Sequence, residues 1–104
     1  MQNFRVIYSG NAVEDIRNIY DYIAYKLFNP QIASQQSDRI MSAAESLAVF
    51  PKMHRVRKKD SKGNETRFFP IDNYLILYDV DDDKHTVNIL RVVYRRRNID
   101  DIIL

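Results

Sequence analysis

The hydrophobic residues in the first half of the chain follow a strand period and then a helical one. Phe4, Val6 and Tyr8 alternate with their neighbours, which predicts a short strand. From 13 to 27 the apolar residues recur in steps of three and four, as on one face of a helix. Asn29-Pro30 ends that helix and begins a second one, which is expected to run to about Phe50. Two amphipathic helices with so short a connection predict an antiparallel hairpin.

Beyond Pro51 the pattern becomes that of strands. Three segments rich in β-branched and aromatic residues are predicted as strands: Glu65 to Ile71, Tyr74 to Val80 and Thr86 to Tyr94. Residues 53–59 fit either a strand or an irregular loop, and residues 95–104 fit a strand tail or one helical turn. The order β-α-α-β-β-β predicts an α+β fold, with a small antiparallel sheet and a helical hairpin packed on one face. The length favours a single domain over residues 1–104.

The last two predicted strands are apolar on both faces, whereas a helical hairpin covers only one face of a small sheet. Because side chains alternate along a strand, we expect Val87, Ile89 and Val93 on one side of the final strand and Leu90 and Val92 on the other. An uncovered apolar face is typical of a partner site. The alternatives are that the C-terminal tail or a second copy of the chain covers it. We expect a protein partner to contact this face at Leu75, Leu77, Leu90 and Val92.

Composition removes several classes of function. The 104 residues include no cysteine, so disulfides, thiolate catalysis and Cys-based zinc sites are excluded. The two glycines stand alone and form no phosphate-binding loop, and His54 and His85 lack the spacing of metal ligands. The longest apolar run, Tyr74 to Tyr78, is too short for a membrane helix. We therefore expect a cytoplasmic protein with no metal, cofactor, small-molecule ligand or membrane contact.

The net charge of +2 conceals a polarised chain. Residues 51–70 carry seven basic and two acidic side chains, whereas residues 71–90 carry one basic and five acidic ones. Basic clusters of this kind suit phosphates or an acidic protein surface, and they also occur as solubilising edges. The predicted target-binding residues belong to two such clusters, namely Arg55, Arg57, Lys58 and Lys59 in the first and Arg95, Arg96 and Arg97 in the second.

Over nearly its whole length the chain resembles the RelE/ParE superfamily of toxins from type II toxin–antitoxin systems. The resemblance is carried by the first strand, the segment Ala12 to Ile23, the close of the second helix at Leu47 to Pro51, Arg67 to Tyr78, and Ile89 to Asn98. It implies a small sheet with a helical hairpin, and a cognate antitoxin that neutralises the toxin. That antitoxin is then the partner expected at Leu75, Leu77, Leu90 and Val92.

The RelE-like branch of the superfamily cuts mRNA in the ribosomal A site. Its chemistry needs basic side chains across the sheet and a tyrosine or histidine for proton transfer. The candidates for that chemistry here are Arg67, Arg91, Tyr94 and Arg96. The pattern departs from that branch in two places, because Leu75 follows Tyr74 where a basic residue is typical, and Ile102 stands near the C-terminal tyrosine position.

The ParE-like branch, which poisons DNA gyrase, is a closer match. The long helical hairpin, Phe69-Pro70, and Tyr94 to Asn98 resemble its pattern, with Tyr94 where His is usual and Asn98 where Asp is usual. We therefore expect a toxin that binds gyrase. The alternatives are a ribosome-dependent endonuclease acting on mRNA, and a non-toxic nucleic-acid-binding module on the same scaffold.

Overall fold

The computed structural model describes residues 3–104 as two helices packed on one face of a five-stranded sheet. The elements in chain order are β1 (Arg5–Tyr8), α1 (Gly10–Asp21), a π-helical turn (Tyr22–Lys26), α2 (Pro30–Ser46), β2 (Val56–Lys59), β3 (Glu65–Ile71), β4 (Tyr74–Asp81), β5 (Thr86–Tyr94) and a 3-10 turn (Ile99–Asp101). This arrangement confirms the predicted α+β fold. Within residues 3–104, no helix has the length and apolarity needed to cross a membrane.

The sheet has the order β1-β5-β4-β3-β2. Three of its strand pairs are antiparallel, and β1 pairs in parallel with β5, so the sheet is mixed rather than wholly antiparallel. The helical hairpin supplies the crossover that a parallel pair requires. Residues 56–59 form the edge strand β2, which decides between the two alternatives left open for residues 53–59.

Local side-chain chemistry sets the ends of both helices. The Ser9 hydroxyl accepts a hydrogen bond from the Ala12 N–H at 3.0 Å, and the Asn29 side chain accepts one from the Ile32 N–H at 3.2 Å. The second helix ends at Ser46, four residues before the predicted Phe50. The Ala48 carbonyl instead accepts the Phe4 N–H at 2.9 Å, which links the chain after α2 to the start of β1.

A bulge in β5 decides which residues face the helices. Tyr78 pairs with Ile89 while Leu77 pairs with Arg91, so Leu90 is the extra residue. The bulge reverses the alternation, and Val92 therefore joins the core under the helices while Val93 faces the other way. The predicted grouping of Val93 with Val87 and Ile89 is therefore wrong. The core under the helices contains Ala12, Ile40, Ala44, Leu47, Ile76, Tyr78, Val87, Ile89 and Val92.

The C-terminal tail covers the second face of the sheet. Ile99 and Ile102 pack there against a small apolar cluster made of Phe68, Leu75, Leu77 and Val93. Asn98 caps the turn by accepting the Asp100 N–H at 3.1 Å. The prediction that this face is left uncovered is therefore wrong, and the alternative that the tail covers it is correct.

Two adjacent isoleucines allow a test of the tail. Ile102 is 4% exposed and Ile103 is 79% exposed. We expect Ile102→Ala to lower the free energy of unfolding in urea by about 2–3 kcal/mol because it leaves a cavity. Ile103→Ala is the matched control and should change it by less than about 0.5 kcal/mol. Equal effects of the two substitutions would show that the tail does not pack on the sheet.

Candidate functional site

Arg91 is held by an ion pair between the sheet and the first helix. Its Nε and Nη2 atoms donate to the two carboxylate oxygens of Asp15 at 2.7 and 2.9 Å, and its Nη1 donates to the Ile103 carbonyl at 2.8 Å. Asp15 also accepts the Val92 N–H at 2.9 Å. The arginine therefore joins α1, β5 and the C-terminal tail at one point.

Both side chains of this pair are only 14% exposed. The Asp15 hydrogen bonds hold the pKa of the Arg91 guanidinium above its usual value. A partly buried carboxylate without its cation would be costly, so the two charges depend on each other. A guanidinium bound in this way is not free to hold a phosphate, which removes Arg91 from the set of accessible cations.

Arg67 likewise serves the fold. Its Nη1 donates to the His54 carbonyl at 2.8 Å and to the Lys52 carbonyl at 3.4 Å, which holds the loop before β2 against the sheet. The His54 ring stacks on Phe69 with centroids 3.9 Å apart, and burial lowers the pKa of this histidine. The loop that carries His54 is thereby fixed on the helical side of β3.

Tyr94 lies at the far end of the sheet from Arg67. Its ring meets Tyr74 edge-on at a centroid distance of 6.2 Å, and burial raises the pKa of Tyr74. The strand register places Arg67 beside Tyr78 and Tyr94 beside Tyr74. At ~3.4 Å per residue and ~4.8 Å per strand, the Cα atoms of Arg67 and Tyr94 are about 17 Å apart. The sheet does not bring the four nuclease candidates together, since Arg67 and Arg91 are engaged while only Tyr94 and Arg96 are exposed.

The two basic clusters also lie at opposite ends of the sheet. Arg57 lies on the edge strand β2, whereas the Arg95 N–H donates to the Asn73 carbonyl at the β3–β4 turn. From the register, Arg57 and Arg95 are more than about 20 Å apart. Among the described residues, Arg96 and Arg97 have no side-chain hydrogen bond or ion pair. The predicted target-binding residues therefore form two separate surfaces rather than one.

The β3–β4 turn is anchored by an aspartate that the sequence did not single out. Asp72 has a φ of +54°, which aspartate tolerates better than most residues. Its carboxylate accepts hydrogen bonds from Arg39 Nε and Nη2, both at 2.8 Å, and from Gln36 Nε2 at 2.9 Å. These donors lower the pKa of Asp72 to about 2. The contact fixes α2 to the turn beside the second basic cluster.

A cleft of about 780 Å³ lies between the helical hairpin and the end of the sheet. Tyr22, Leu27 and Ile32 line it from the hairpin, and Tyr94 and Arg97 line it from the sheet side. We call this the tip cleft. The helical period from 13 to 27 predicted that Leu27 lies on the apolar face of the first helix, but the helix ends before it and its side chain is more than half exposed. The signal available was the crowding of large apolar residues just before Asn29-Pro30, where a helix was due to end.

The hairpin tip beside this cleft has an unusual backbone. Residues 22–26 form a π-helical turn, in which the Leu27 N–H donates to the Tyr22 carbonyl at 3.2 Å. Phe28 then has a φ of +53° and is 87% exposed. A bulky residue in the left-handed region costs about 1–2 kcal/mol, and such strain concentrates at functional sites. The tip therefore combines strain with exposed aromatic surface.

The four predicted antitoxin contacts lie on both faces of the sheet. Leu75 and Leu77 pack beneath the C-terminal tail, Val92 is buried under the helices, and Leu90 lies at the bulge. The four residues therefore do not form the single exposed surface that was predicted, because the bulge places Val92 on the opposite face from the leucines of β4. As antitoxin contacts the four residues stay a prediction. Residues 3–104 contain no group of three or more His, Asp or Glu side chains placed to bind a metal ion.

Comparison with known proteins decides the family. The model of the ParE toxin of type II toxin–antitoxin systems matches residues 6–99. The chain belongs to the ParE toxin family. It is thus a toxin of a type II toxin–antitoxin system, as the resemblance implied. No curated protein sequence is significantly similar to the chain.

Solved structures share the ParE-type fold at low sequence identity. The chromosomal ParDE system of P. aeruginosa matches with a TM-score of 0.69 at 19% identity, covering 88% of this chain and 95% of that one. The RelBE2 complex of Mycobacterium tuberculosis matches with a TM-score of 0.63 at 22% identity, covering 89% and 99%. The archaeal RelE–RelB complex of Pyrococcus horikoshii gives 0.64 at 15% identity, covering 93% and 100%. ParE and RelE proteins thus share this architecture, so the fold alone does not choose between a gyrase target and a ribosomal one.

The Asp72 anchor predicts a measurable titration. Because Arg39 and Gln36 stabilise the ionised form, NMR should give the Asp72 carboxylate a pKa of about 2, and Arg39→Gln should raise it toward 3.8. The stabilisation from this depressed pKa is present above about pH 4 and is lost as the pH falls toward 2. Arg5→Gln, on the exposed side of β1, is the control and should leave the titration unchanged. An Asp72 pKa near 3.8 in the unsubstituted protein would contradict the anchor.

Proposed function

We propose that this ParE-family toxin arrests growth by binding DNA gyrase rather than by cutting RNA. The observation that carries the proposal is the engagement of Arg91 by Asp15, with both side chains 14% exposed. A ribonuclease of the RelE type would need several free basic groups around one proton-transferring side chain. Here Arg67 is bonded to the loop before β2 and lies about 17 Å from Tyr94 by the strand register. The remaining exposed groups suit recognition better than catalysis.

An mRNA endonuclease is the second candidate because Tyr94 is half-exposed and Arg96 is free among the described residues. A phenol beside a guanidinium is a workable proton donor. The pair nevertheless lacks the second and third cations across the sheet that such chemistry requires, which makes gyrase the better-supported target.

We further propose that the cognate antitoxin contacts the face of the sheet that the tail covers. The structures from M. tuberculosis and P. horikoshii are toxin–antitoxin complexes, which supports a partner of this class. Leu75 and Leu77 lie beneath Ile99 and Ile102 on this face. An antitoxin segment that reaches those leucines must displace the tail, since Ile102 already fills the space above them.

The test pairs two assays on the purified toxin. With gyrase, ATP and relaxed plasmid, we expect supercoiling to stop and a cleavage complex to accumulate. With translating ribosomes, toeprinting should show intact mRNA, because no nuclease site is assembled. Unchanged supercoiling together with A-site cuts that Tyr94→Phe abolishes would reverse the assignment. Normal growth after induced expression would instead favour a non-toxic nucleic-acid-binding module.

A further inference from the structure

The tip cleft presents an apolar surface that no part of residues 3–104 covers. Tyr22, Leu27 and Ile32 are about half exposed on its hairpin wall, and Tyr94 is about half exposed on its sheet wall. Exposed apolar side chains that adjoin in one concave site, rather than being scattered singly, mark an interaction surface. The hydrogen bond from the Leu27 N–H to the Tyr22 carbonyl brings these two side chains to the same cleft.

The charges around the tip cleft are unbalanced in favour of cations. The nearby carboxylates of Asp15 and Asp72 are already bound by Arg91 and Arg39. Arg97 lines the cleft and has no side-chain partner within the described residues, and the same is true of Arg96 beside it. The next acidic pair, at residues 100–101, belongs to the tail that turns onto the opposite face of the sheet. At the hairpin tip the exposed Asp21 and Lys26 carry opposite charges and offset each other, so the unpaired charge among the residues that line the cleft is that of Arg97.

The side chains that line the cleft favour a protein segment over a nucleic acid. Tyr22, Tyr74 and Tyr94 offer aromatic surfaces of the kind on which bases stack, but Leu27 and Ile32 add branched aliphatic surface that base stacking does not use. Aliphatic and aromatic walls with cations at the rim suit a bulky apolar side chain flanked by carboxylates. The cleft adjoins the tail-covered face at Val93, which belongs to both, but its hairpin wall lies outside that face and is available to a different partner.

We propose that the tip cleft is the surface that docks the toxin's protein target, and that it takes a target segment with a large apolar side chain flanked by carboxylates. Naming gyrase as that target rests on the proposed function. The contact is made by the second basic cluster and the apolar wall beside it. The basic edge strand β2 lies more than about 20 Å away and is not needed for this contact.

The test measures the toxin concentration that half-inhibits supercoiling by gyrase. We expect Leu27→Ser and the double variant Arg96→Glu/Arg97→Glu each to raise that concentration by about tenfold or more, since each removes part of the docking surface. Val49→Ser is the apolar control because Val49 is 55% exposed and Leu27 is 56% exposed. The exposed residues Arg5 and Lys84 supply the charge control as Arg5→Glu/Lys84→Glu. Both controls should stay within about twofold of the unsubstituted toxin, and circular dichroism should show all variants folded.

Several results would overturn the proposal. The proposal is wrong if both tip variants inhibit gyrase as strongly as the unsubstituted toxin does. It is also wrong if Leu27→Ser inhibits gyrase normally while the arginine variant loses its binding to plasmid DNA in the absence of gyrase. That pair of results would make the cleft a nucleic-acid surface. If Leu27→Ser inhibits gyrase fully and a co-expressed antitoxin no longer relieves that inhibition, the antitoxin is the molecule that occupies the cleft.

Failure of the proposed function is distinguishable from failure of this inference. If the unsubstituted toxin leaves gyrase unaffected, the gyrase assignment is wrong, and growth arrest after induced expression becomes the readout. The inference then requires Leu27→Ser and Arg96→Glu/Arg97→Glu to lose toxicity at equal protein levels while both controls remain toxic. Toxic tip variants would reject the docking surface whatever the target is.

Discussion

The ion pair between Asp15 and Arg91 is the constraint on which the rest of the structure depends. β1 pairs with β5 only as far as Ile89, so the edge of β5 beyond that point needs other partners for its backbone groups. The Ser9 hydroxyl donates to the Leu90 carbonyl at 2.8 Å, and Asp15 accepts the Val92 N–H. The start of α1 thus completes the sheet edge with side chains where the strand has ended.

The same pair determines what the sheet offers to other molecules. Arg91 also holds the tail through the Ile103 carbonyl, and the tail keeps Leu77 out of solvent. One arginine therefore closes a sheet edge and fixes a cover over the second face. The accessible cations lie instead at the rim of the sheet, in the tip cleft with its arginines and on the basic edge strand. This arrangement of accessible surfaces supports the proposal that the toxin acts by binding.

The sequence predicted the architecture because its signals are local. The helical period from 13, the Asn29-Pro30 break and the three apolar strands each depend on neighbouring residues. All three were found in the structure, although the first α-helix ends at Asp21 and a π-helical turn replaces its last predicted residues. The bulge at Leu90 was missed because nothing in a run of Val, Leu and Ile marks where two residues oppose one. That single shift moved Val92 into the helical core and invalidated the predicted grouping of faces.

The candidate site was less predictable because its parts meet only in three dimensions. Arg67 and Arg91 are basic residues on strands, and the sequence gives no sign that a loop carbonyl and Asp15 engage them. Asp72 was likewise hidden, since its partners lie more than thirty positions away. The arginine run after β5 was recognisable as a cluster, but its position beside an apolar cleft depends on how the hairpin tip folds over the sheet.

The most direct test of this account is a double-mutant cycle on the free energy of unfolding with Asp15→Asn, Arg91→Met and the double variant. If the pair is structural, each single variant should destabilise the toxin, and the two changes should couple by about 2 kcal/mol because they remove one shared, partly buried interaction. Additive effects, with Arg91→Met as stable as the unsubstituted toxin, would mean that Arg91 is free for other chemistry. That result would contradict the claim that this toxin acts by binding.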